Sequence, residues 1–178
     1  MTQNHHYQLR SGLTIYPSQQ KEIDQTLAQL LQNVPARFVL LTDVTGQIIS
    51  ARGEQEKLNL VALASLVAGD LAASQEIARL TGEYEDYQLV LREGQEAHIF
   101  ISEAGSYLAM LVQVTKDVPL GWARMVIKKV AQSLPNILDQ KPEDDDVTMM
   151  AEIQQEVSFH EENIDVLFDD ALDDLWME

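Results

Sequence analysis

Histidines are the residues whose type and spacing come nearest to metal or acid–base chemistry in this sequence. His5 and His6 are adjacent in a polar N-terminus, and a neutral imidazole binds transition metals. A metal site needs further ligands at set spacings, and the chain has no cysteine that would supply a thiolate. We therefore expect the pair to be solvated. His98 lies in a strand-like segment beside Phe100, where we expect a surface or half-buried sheet residue and not a catalytic base.

Motifs for nucleotide or acyl-transfer chemistry are missing from the sequence. No G-x-x-x-x-G-K-[ST] segment is present, so the chain is not itself a P-loop nucleotide hydrolase. No serine lies in a nucleophile-elbow motif, and no carboxylate is distinguished by its surroundings. The sequence therefore predicts a non-enzyme with no catalytic, cofactor-binding or metal-ligating residue, which acts through protein–protein contacts.

The net charge of −17 is concentrated near the C-terminus. Residues 1–138 carry 14 acidic and 11 basic side chains, whereas residues 139–178 carry 15 acidic and one basic side chain. Such an acidic balance argues against binding to the phosphate backbone of nucleic acid. The pattern predicts three parts: an N-terminal extension (1–17), a near-neutral domain (18–138) and an acidic tail (139–178).

Hydropathy places the chain among soluble proteins. Apolar residues make up 46% of the sequence, enough for a substantial core. No uninterrupted apolar run approaches the ~18 residues of a membrane span, so we expect no membrane insertion. The N-terminus is polar and lacks the apolar core of a signal peptide. We expect the protein to be cytoplasmic.

The first half of the domain predicts a helix followed by a β-hairpin. Pro17 and Ser18 open the helix, with Ser18 as its N-cap, and a single apolar stripe runs to Pro35. Two strand-like segments, 36–42 and 47–51, flank a turn of sequence Asp-Val-Thr-Gly. A long central helix follows at 58–80.

The second half predicts three strands and a closing helix. Segments 87–92, 97–102 and 107–114 are joined by short links that force antiparallel neighbours. Pro119 occupies the first position of a last helix that ends near Leu138. The predicted fold class is α+β: a five-stranded antiparallel sheet flanked by helices, in the order α-β-β-α-β-β-β-α, plus the acidic helical tail.

The central helix has apolar stripes on two opposite sides when its residues are placed at 100° steps. One stripe consists of Leu60, Ala64, Val67, Leu71 and Ala78. The other consists of Ala62, Leu66, Gly69, Ala73, Ile77 and Leu80. Because a helix on its own sheet buries one stripe, the second stripe needs another surface close to the backbone. Either the helix is sandwiched inside a monomer or it meets a second copy, and we favour the second copy.

These segments together resemble the Roadblock/LC7 domain family, in its bacterial MglB-like branch. The matching segments span 18–138 and are RFVLLTDVTGQIIS, LVALASLVAGDLAASQEIARLTG, YQLVLREGQEAHIFISEAGSYLAMLV and LGWARMVIKKVAQSL. The resemblance implies a profilin-like sheet with helices on its faces. It also implies a dimer in which two sheets join edge to edge and two central helices lie side by side.

The resemblance further implies a function in GTPase regulation. Prokaryotic members work with small Ras-like GTPases, and the MglB-like branch stimulates GTP hydrolysis by repositioning groups of the partner. An arginine finger is an open alternative, with five candidates and none preferred: Arg37, Arg52, Arg79, Arg92 and Arg124. Two further hypotheses remain: a profilin-like or PAS-like ligand-binding module, and a structural adaptor that recruits a partner through its acidic tail.

The tail contains a short amphipathic segment. Its apolar stripe includes Ile164, Leu167, Phe168, Leu172, Leu175 and Trp176, with aspartates on the opposite face. Aspartates near a helix C-terminus oppose the helix dipole, so we expect the isolated segment to be mostly unfolded. We favour docking of this stripe to another protein or subunit, and packing on its own domain is the alternative.

Overall fold

The computed structural model describes residues 8–56, 58–83 and 89–140. All of them belong to the first of two units, Met1–Gln140, and the second unit is Lys141–Glu178. Within the described residues the predicted α+β fold and element order are confirmed. Outside them lie His5, His6 and the tail stripe Ile164, Leu167, Phe168, Leu172, Leu175 and Trp176.

The helices and strands lie close to their predicted positions. The helices are α1 (Pro17–Asn33), α2 (Leu60–Thr81) and α3 (Leu120–Leu138). The strands are β1 (Ala36–Asp43), β2 (Ile48–Gly53), β3 (Leu89–Glu93), β4 (Ala97–Glu103) and β5 (Leu108–Thr115).

The start of α1 differs from the sequence-based expectation. The helix begins at Pro17, so Tyr16 is the N-cap residue and the prediction that Ser18 caps the helix is wrong. Proline fits the first helical position because its φ is already helical and its missing N–H has no partner there. The Gln19 side chain accepts a hydrogen bond from the Tyr16 backbone N–H at 3.0 Å, which closes the helix start.

The two ends of α3 also have defined partners. Pro119 has an extended ψ of 122° and is the N-cap, so the helix begins at Leu120, one residue later than predicted. The helix ends at Leu138, as predicted. There the buried Gln19 amide donates hydrogen bonds to the carbonyl oxygens of Leu138 and Gln140, both at 3.1 Å. Gln19 thus joins the start of α1 to the end of α3.

Helix α2 is capped at both ends. The Asn59 side chain accepts a hydrogen bond from the Ala62 backbone N–H at 3.1 Å, so the helix begins at Leu60, two residues later than expected. Gly82 ends it with φ of 74°, a left-handed conformation that favours glycine. These caps set the ends of the helix, Leu60–Thr81, that carries the two apolar faces.

The five strands form one antiparallel sheet in the order β2-β1-β5-β4-β3. The first and last strands in the chain, β1 and β5, are neighbours at its centre, where Leu40 lies opposite Leu111. Both central strands are almost fully buried. The edge strands are β2 and β3.

Successive side chains along a strand point to opposite faces of the sheet, and each face has its own apolar core. One core packs against α1 and α3, and its strand residues include Val39, Leu41, Phe100, Met110 and Val112. The smaller core packs against α2, and its strand residues include Phe38, Leu40, Ile101 and Leu111. Residues 8–56, 58–83 and 89–140 therefore form three layers, and among them α2 is the only helix on its side of the sheet.

Asp43 organises the turn between β1 and β2. Its buried carboxylate accepts hydrogen bonds from the backbone N–H groups of Thr45 at 3.0 Å and Gln47 at 2.8 Å, and from the Thr45 hydroxyl at 2.7 Å. The backbone N–H of Ser11 donates to its other oxygen at 3.3 Å. Burial alone would raise the pKa of Asp43, but the hydrogen bonds from Thr45, Gln47 and Ser11 outweigh it and lower the pKa.

The same turn contacts α2 through Gly46. Its φ of +83° lies in the left-handed region, and an added Cβ would lie 2.9 Å from the Cα atom of Ser65. The turn therefore lies against the α2 backbone with no room for a side chain, so the Asp43 hydrogen bonds help to position α2 on the sheet.

We predict that Asp43→Asn lowers the free energy of unfolding by about 2–3 kcal/mol at pH 7, because the carboxylate loses its charge-assisted hydrogen bonds. The folded-state pKa of Asp43 is lowered. Its stabilisation is therefore complete above the ordinary aspartate pKa of about 4 and is lost as the pH falls through the lowered value.

Urea denaturation of both proteins from about pH 7 to about pH 2.5 measures this difference. The gap between wild type and Asp43→Asn should narrow as the pH falls below the ordinary aspartate pKa of about 4. The exposed Asp117→Asn should stay within about 0.5 kcal/mol of wild type throughout. A gap that is the same at both ends of the range would contradict the role given to the ionised carboxylate.

Candidate interaction surface

The outer face of α2 is an exposed apolar surface. All six residues of the second predicted stripe are exposed among the described residues: Ala62, Leu66, Gly69, Ala73, Ile77 and Leu80. The three large side chains are 69%, 63% and 70% exposed at Leu66, Ile77 and Leu80. Side chains of this size seldom lie together in water without a partner surface.

The opposite face of α2 explains why the stripe is left uncovered. Of the first stripe, Ala64, Val67 and Leu71 are buried against the sheet, Leu60 packs half-buried on the same core, and Ala78 is buried. Since α2 is the only described helix on this face, no described segment lies over the second stripe. The alternative in which α2 is sandwiched inside a monomer is not found among the described residues.

Sequence reasoning missed two members of this surface. Val61 is 71% exposed and Leu58, just before the helix, is 40% exposed. When the helix is drawn at 100° per residue, Val61 lies between the two predicted stripes and belongs to neither. The signal was the absence of any charged residue from Leu58 to Ala68, which makes the first turns of the helix apolar around most of their circumference.

Helix α2 is apolar enough to correct one sequence-based statement. It has 22 residues and a mean hydropathy of 1.4 over an 18-residue window, which by length and composition alone would suffice to cross a membrane. An uninterrupted apolar run of that length is not present in the sequence, because Ser65, Asp70 and Ser74 lie within the helix. In the structure α2 packs on the sheet, so its high hydropathy reflects two apolar faces on one helix of a sheet domain.

An ion pair shows which flank of α2 faces the edge of the sheet. The Arg92 guanidinium of β3 donates two hydrogen bonds to the Asp70 carboxylate of α2, at 2.8 and 2.7 Å. The hydrogen bond from Arg92 lowers the pKa of Asp70, and the pKa of Arg92 is correspondingly raised. At 100° steps Asp70 adjoins Leu66 and Ile77, so this side of the outer stripe is the one nearest β3.

A groove of about 470 Å³ separates this flank of α2 from the sheet. Its apolar lining includes Leu63, Leu66, Val67, Ile99, Ile101 and Leu111, and the Asp70–Arg92 pair also borders it. Because Leu66 and Gly69 belong both to the lining and to the stripe, a surface that covers the stripe also covers this groove.

The two edges of the sheet differ in their backbone hydrogen bonding. On β2, the carbonyl oxygens of Ile49 and Ala51 accept side-chain hydrogen bonds from Gln20 at 3.2 Å and Arg52 at 3.1 Å. Residues two apart point their carbonyl groups to the same side of a strand, so this side of β2 is occupied. On β3, described residues form a ladder with β4 alone, which leaves the outer side available for another strand.

Residues considered for chemistry do not converge on a reaction centre. His98 is half-buried on β4, as expected. Among the described residues, no group of three or more His, Asp or Glu side chains is placed to hold a metal ion. Three of the five candidate arginines form ion pairs within the chain, Arg52 with Asp24, Arg79 with Glu76 and Arg92 with Asp70, at 2.6–2.7 Å.

Known proteins similar to this chain were found among solved structures. No family model matches the chain, and no curated protein matches it. MglB of Myxococcus xanthus is 31% identical over 66% of this chain and 95% of that chain, with a TM-score of 0.61. An MglB described as having a tetrameric arrangement is 27% identical over 71% of this chain and 95% of that one, with a TM-score of 0.65.

A third structure, a Roadblock/LC7 domain from Streptomyces avermitilis, has the same fold. It is 20% identical over 66% of this chain and 98% of that chain, with a TM-score of 0.59. At that identity the similarity concerns the fold alone. The two MglB structures are similar in sequence as well as in fold.

We predict a coupling free energy of about 0.5 kcal/mol between Asp70 and Arg92 in a double-mutant cycle of Asp70→Ala and Arg92→Ala. The pair is partly exposed, so about 1 M salt should reduce the coupling. Because the pKa of Asp70 is lowered in the folded state, the coupling should be present above the ordinary aspartate pKa and vanish below the lowered one. An undiminished coupling at about pH 2 would contradict a charge pair.

Proposed function

This chain belongs to the MglB-like branch of the Roadblock/LC7 family, and from that membership we propose that it is a homodimeric regulator of a small Ras-like GTPase. The observation that carries the proposal is the exposed apolar stripe of α2, which lies beside the open β3 edge. A monomer has no described element to cover this stripe, whereas a second copy supplies an identical apolar surface.

The geometry supports a dimer built around β3. A twofold axis beside β3 would pair the two β3 strands antiparallel and extend the sheet across the interface. Since the Leu66 and Ile77 side of the stripe is the one nearest β3, the same axis would bring the two α2 stripes together. The occupied side of β2 makes that edge the poorer choice.

The composition of the stripe suits close contact between helices. Ala62, Gly69 and Ala73 have small side chains that let two helix backbones approach each other. Leu66 and Leu80 supply apolar area, and each large side chain is worth about 1.5–3 kcal/mol when fully buried. One relative, an MglB, is described as having a tetrameric arrangement.

Action on the GTPase is proposed to occur without a catalytic residue from this chain. Membership of the MglB-like branch implies that the regulator repositions groups that the GTPase itself carries. An arginine finger must be able to reach the bound nucleotide. Arg52, Arg79 and Arg92 are each paired with a carboxylate of this chain, which fits repositioning of the GTPase better than a finger from one of these three residues. The surface that the dimer forms around the two paired α2 helices would then supply the docking platform.

The acidic tail is proposed as a second contact with the partner. Its stripe of Ile164, Leu167, Phe168, Leu172, Leu175 and Trp176 lies outside the described residues, so this part of the proposal rests on the sequence pattern. A short segment that folds on binding uses such a stripe to occupy a groove. We further propose that the protein acts in the cytoplasm, without nucleic-acid binding or membrane insertion.

The experiment that tests this proposal is GTP turnover by a purified small Ras-like GTPase of the same organism, with and without the full chain. We predict faster turnover with the wild-type chain. Leu66→Asp should lose about tenfold or more of the stimulation, because a charge in the stripe opposes its burial. Tyr107→Asp, a similarly exposed residue on the β4–β5 turn, should retain it.

Two results would count against the proposal. Turnover that is the same with and without the chain, together with no detectable complex, would exclude regulation of that GTPase. Equal stimulation by wild type and Leu66→Asp would exclude the stripe from the mechanism. Circular dichroism of each variant establishes that a loss of stimulation is not a loss of fold.

The groove between α2 and the sheet favours one alternative function, a ligand-binding module. Its apolar lining and the charged Asp70–Arg92 pair at its border would suit a small amphiphilic molecule. Native mass spectrometry of the purified chain separates the two functions, since a bound small molecule would add mass to each copy. We place this alternative second because the stripe borders the groove, and a dimer would cover both.

A further inference from the structure

A second apolar groove lies on the face of the sheet opposite α2, between α1 and α3. It has a volume of about 690 Å³. Buried and half-buried apolar side chains, Leu30, Val126 and Val130, form its floor. Trp122 and Met125 at its rim are 40% and 62% exposed. Neither the fold nor the proposed dimer uses these two side chains, since the dimer is built on the other face.

The charge of this groove is opposite to that of the protein as a whole. Helix α3 carries Arg124, Lys128 and Lys129 and no acidic residue, in a chain of net charge −17. Lys129 lines the groove, and its lining contains no carboxylate. Glu22 on α1 lies at the far end of α3, where Gln140 donates a hydrogen bond to it. A partner segment here would meet the Lys129 ammonium group beside an apolar floor, with no carboxylate in the lining.

We propose that the α1–α3 groove binds an acidic amphipathic helix of a partner protein. The lining extends along α3 from Trp122 to Ser133, which at about 1.5 Å per residue is about three helical turns. Apolar side chains at i, i+3, i+4 and i+7 of the bound helix would contact Trp122 and Met125 and cover the floor. Its carboxylates would face Lys129, and the polar α1 side chains of Thr26 and Gln29 would border its solvent side.

Charge complementarity selects an acidic helix over a basic or neutral one. A basic helix would place its cations beside Lys129, which disfavours binding in this groove. The apolar rim of Trp122 and Met125 distinguishes the groove from a purely electrostatic patch, because aromatic and methionine side chains are preferred contacts in helix-binding surfaces. The proposal does not depend on regulation of a GTPase.

The test measures binding of two labelled 16-residue peptides by fluorescence anisotropy. One has leucine and tryptophan at i, i+3, i+4 and i+7 with aspartate and glutamate elsewhere, and the other replaces every acidic residue with lysine. We predict that the acidic peptide binds the full chain and that the lysine peptide does not. Higher salt should weaken the binding.

Substitutions locate the binding site. Met125→Asp should weaken binding about tenfold, and Lys129→Glu should weaken it about fivefold, because both alter exposed groove residues. Lys21→Glu makes the same charge change on an exposed position of α1 outside the groove lining and should leave binding within about twofold. Leu66→Asp should also leave it unchanged, which separates this site from the α2 stripe.

Several results would overturn the proposal. The first is that the acidic peptide does not bind, and the second is that the lysine peptide binds as tightly as the acidic one. The third is that Met125→Asp and Lys129→Glu bind the acidic peptide as tightly as wild type does. The full chain is compared with a chain ending at Gln140, which contains the compact unit Met1–Gln140. Binding to the shorter chain alone would mean that the groove is not available to a partner in the complete protein, which also contradicts the proposal.

Discussion

The structure depends on the burial of α2, a helix that is apolar on two sides. One side packs on the sheet through Val67 and Leu71, and this contact forms the smaller of the two cores. The other side leaves Leu66, Ile77 and Leu80 largely in water. A sheet flanked by two helices on one face and one on the other cannot cover both sides of α2. The proposed dimer would cover this exposed apolar side.

The rest of the domain fixes where the exposed side points. Asp43 and Gly46 hold the β1–β2 turn against the α2 backbone, and the Asp70–Arg92 pair ties the same helix to β3. On the far edge, Gln20 and Arg52 occupy carbonyl groups of β2. One edge is thus protected by side chains while the other adjoins the apolar stripe. This asymmetry favours a single mode of pairing, because side chains that occupy the backbone groups of one edge discourage another strand from adding there.

Much of the fold could be predicted from the sequence because its signals are local. Apolar residues recur every two residues in the strands and about every 3.6 residues in the helices. These patterns, together with turn residues such as Gly46 and Gly82, predict the element order and most boundaries. The errors fall at helix starts: Ser18 lies two residues after the true cap, Tyr16, and Pro119 is the cap of α3 and not its first helical residue. Cap geometry depends on backbone angles that residue type only biases.

The candidate site was only partly predictable. Periodicity identified both faces of α2, and the structure leaves the second face exposed; its contact with a second copy stays a prediction. Periodicity did not reveal which sheet edge adjoins the stripe, because that depends on Asp70 and Arg92, which are 22 residues apart in sequence. It also could not reveal the α1–α3 groove, since α1 and α3 are brought together by the fold and not by adjacency in the chain.

The mass of the protein in solution tests the central claim most directly. Light scattering of the full chain at micromolar concentration should give about twice the 20.0 kDa of one copy. Leu66→Asp should give the mass of a single copy with an unchanged circular dichroism spectrum. A single-copy mass for wild type, or an unchanged dimer in the variant, would contradict the claim that the exposed stripe of α2 is covered by a second copy.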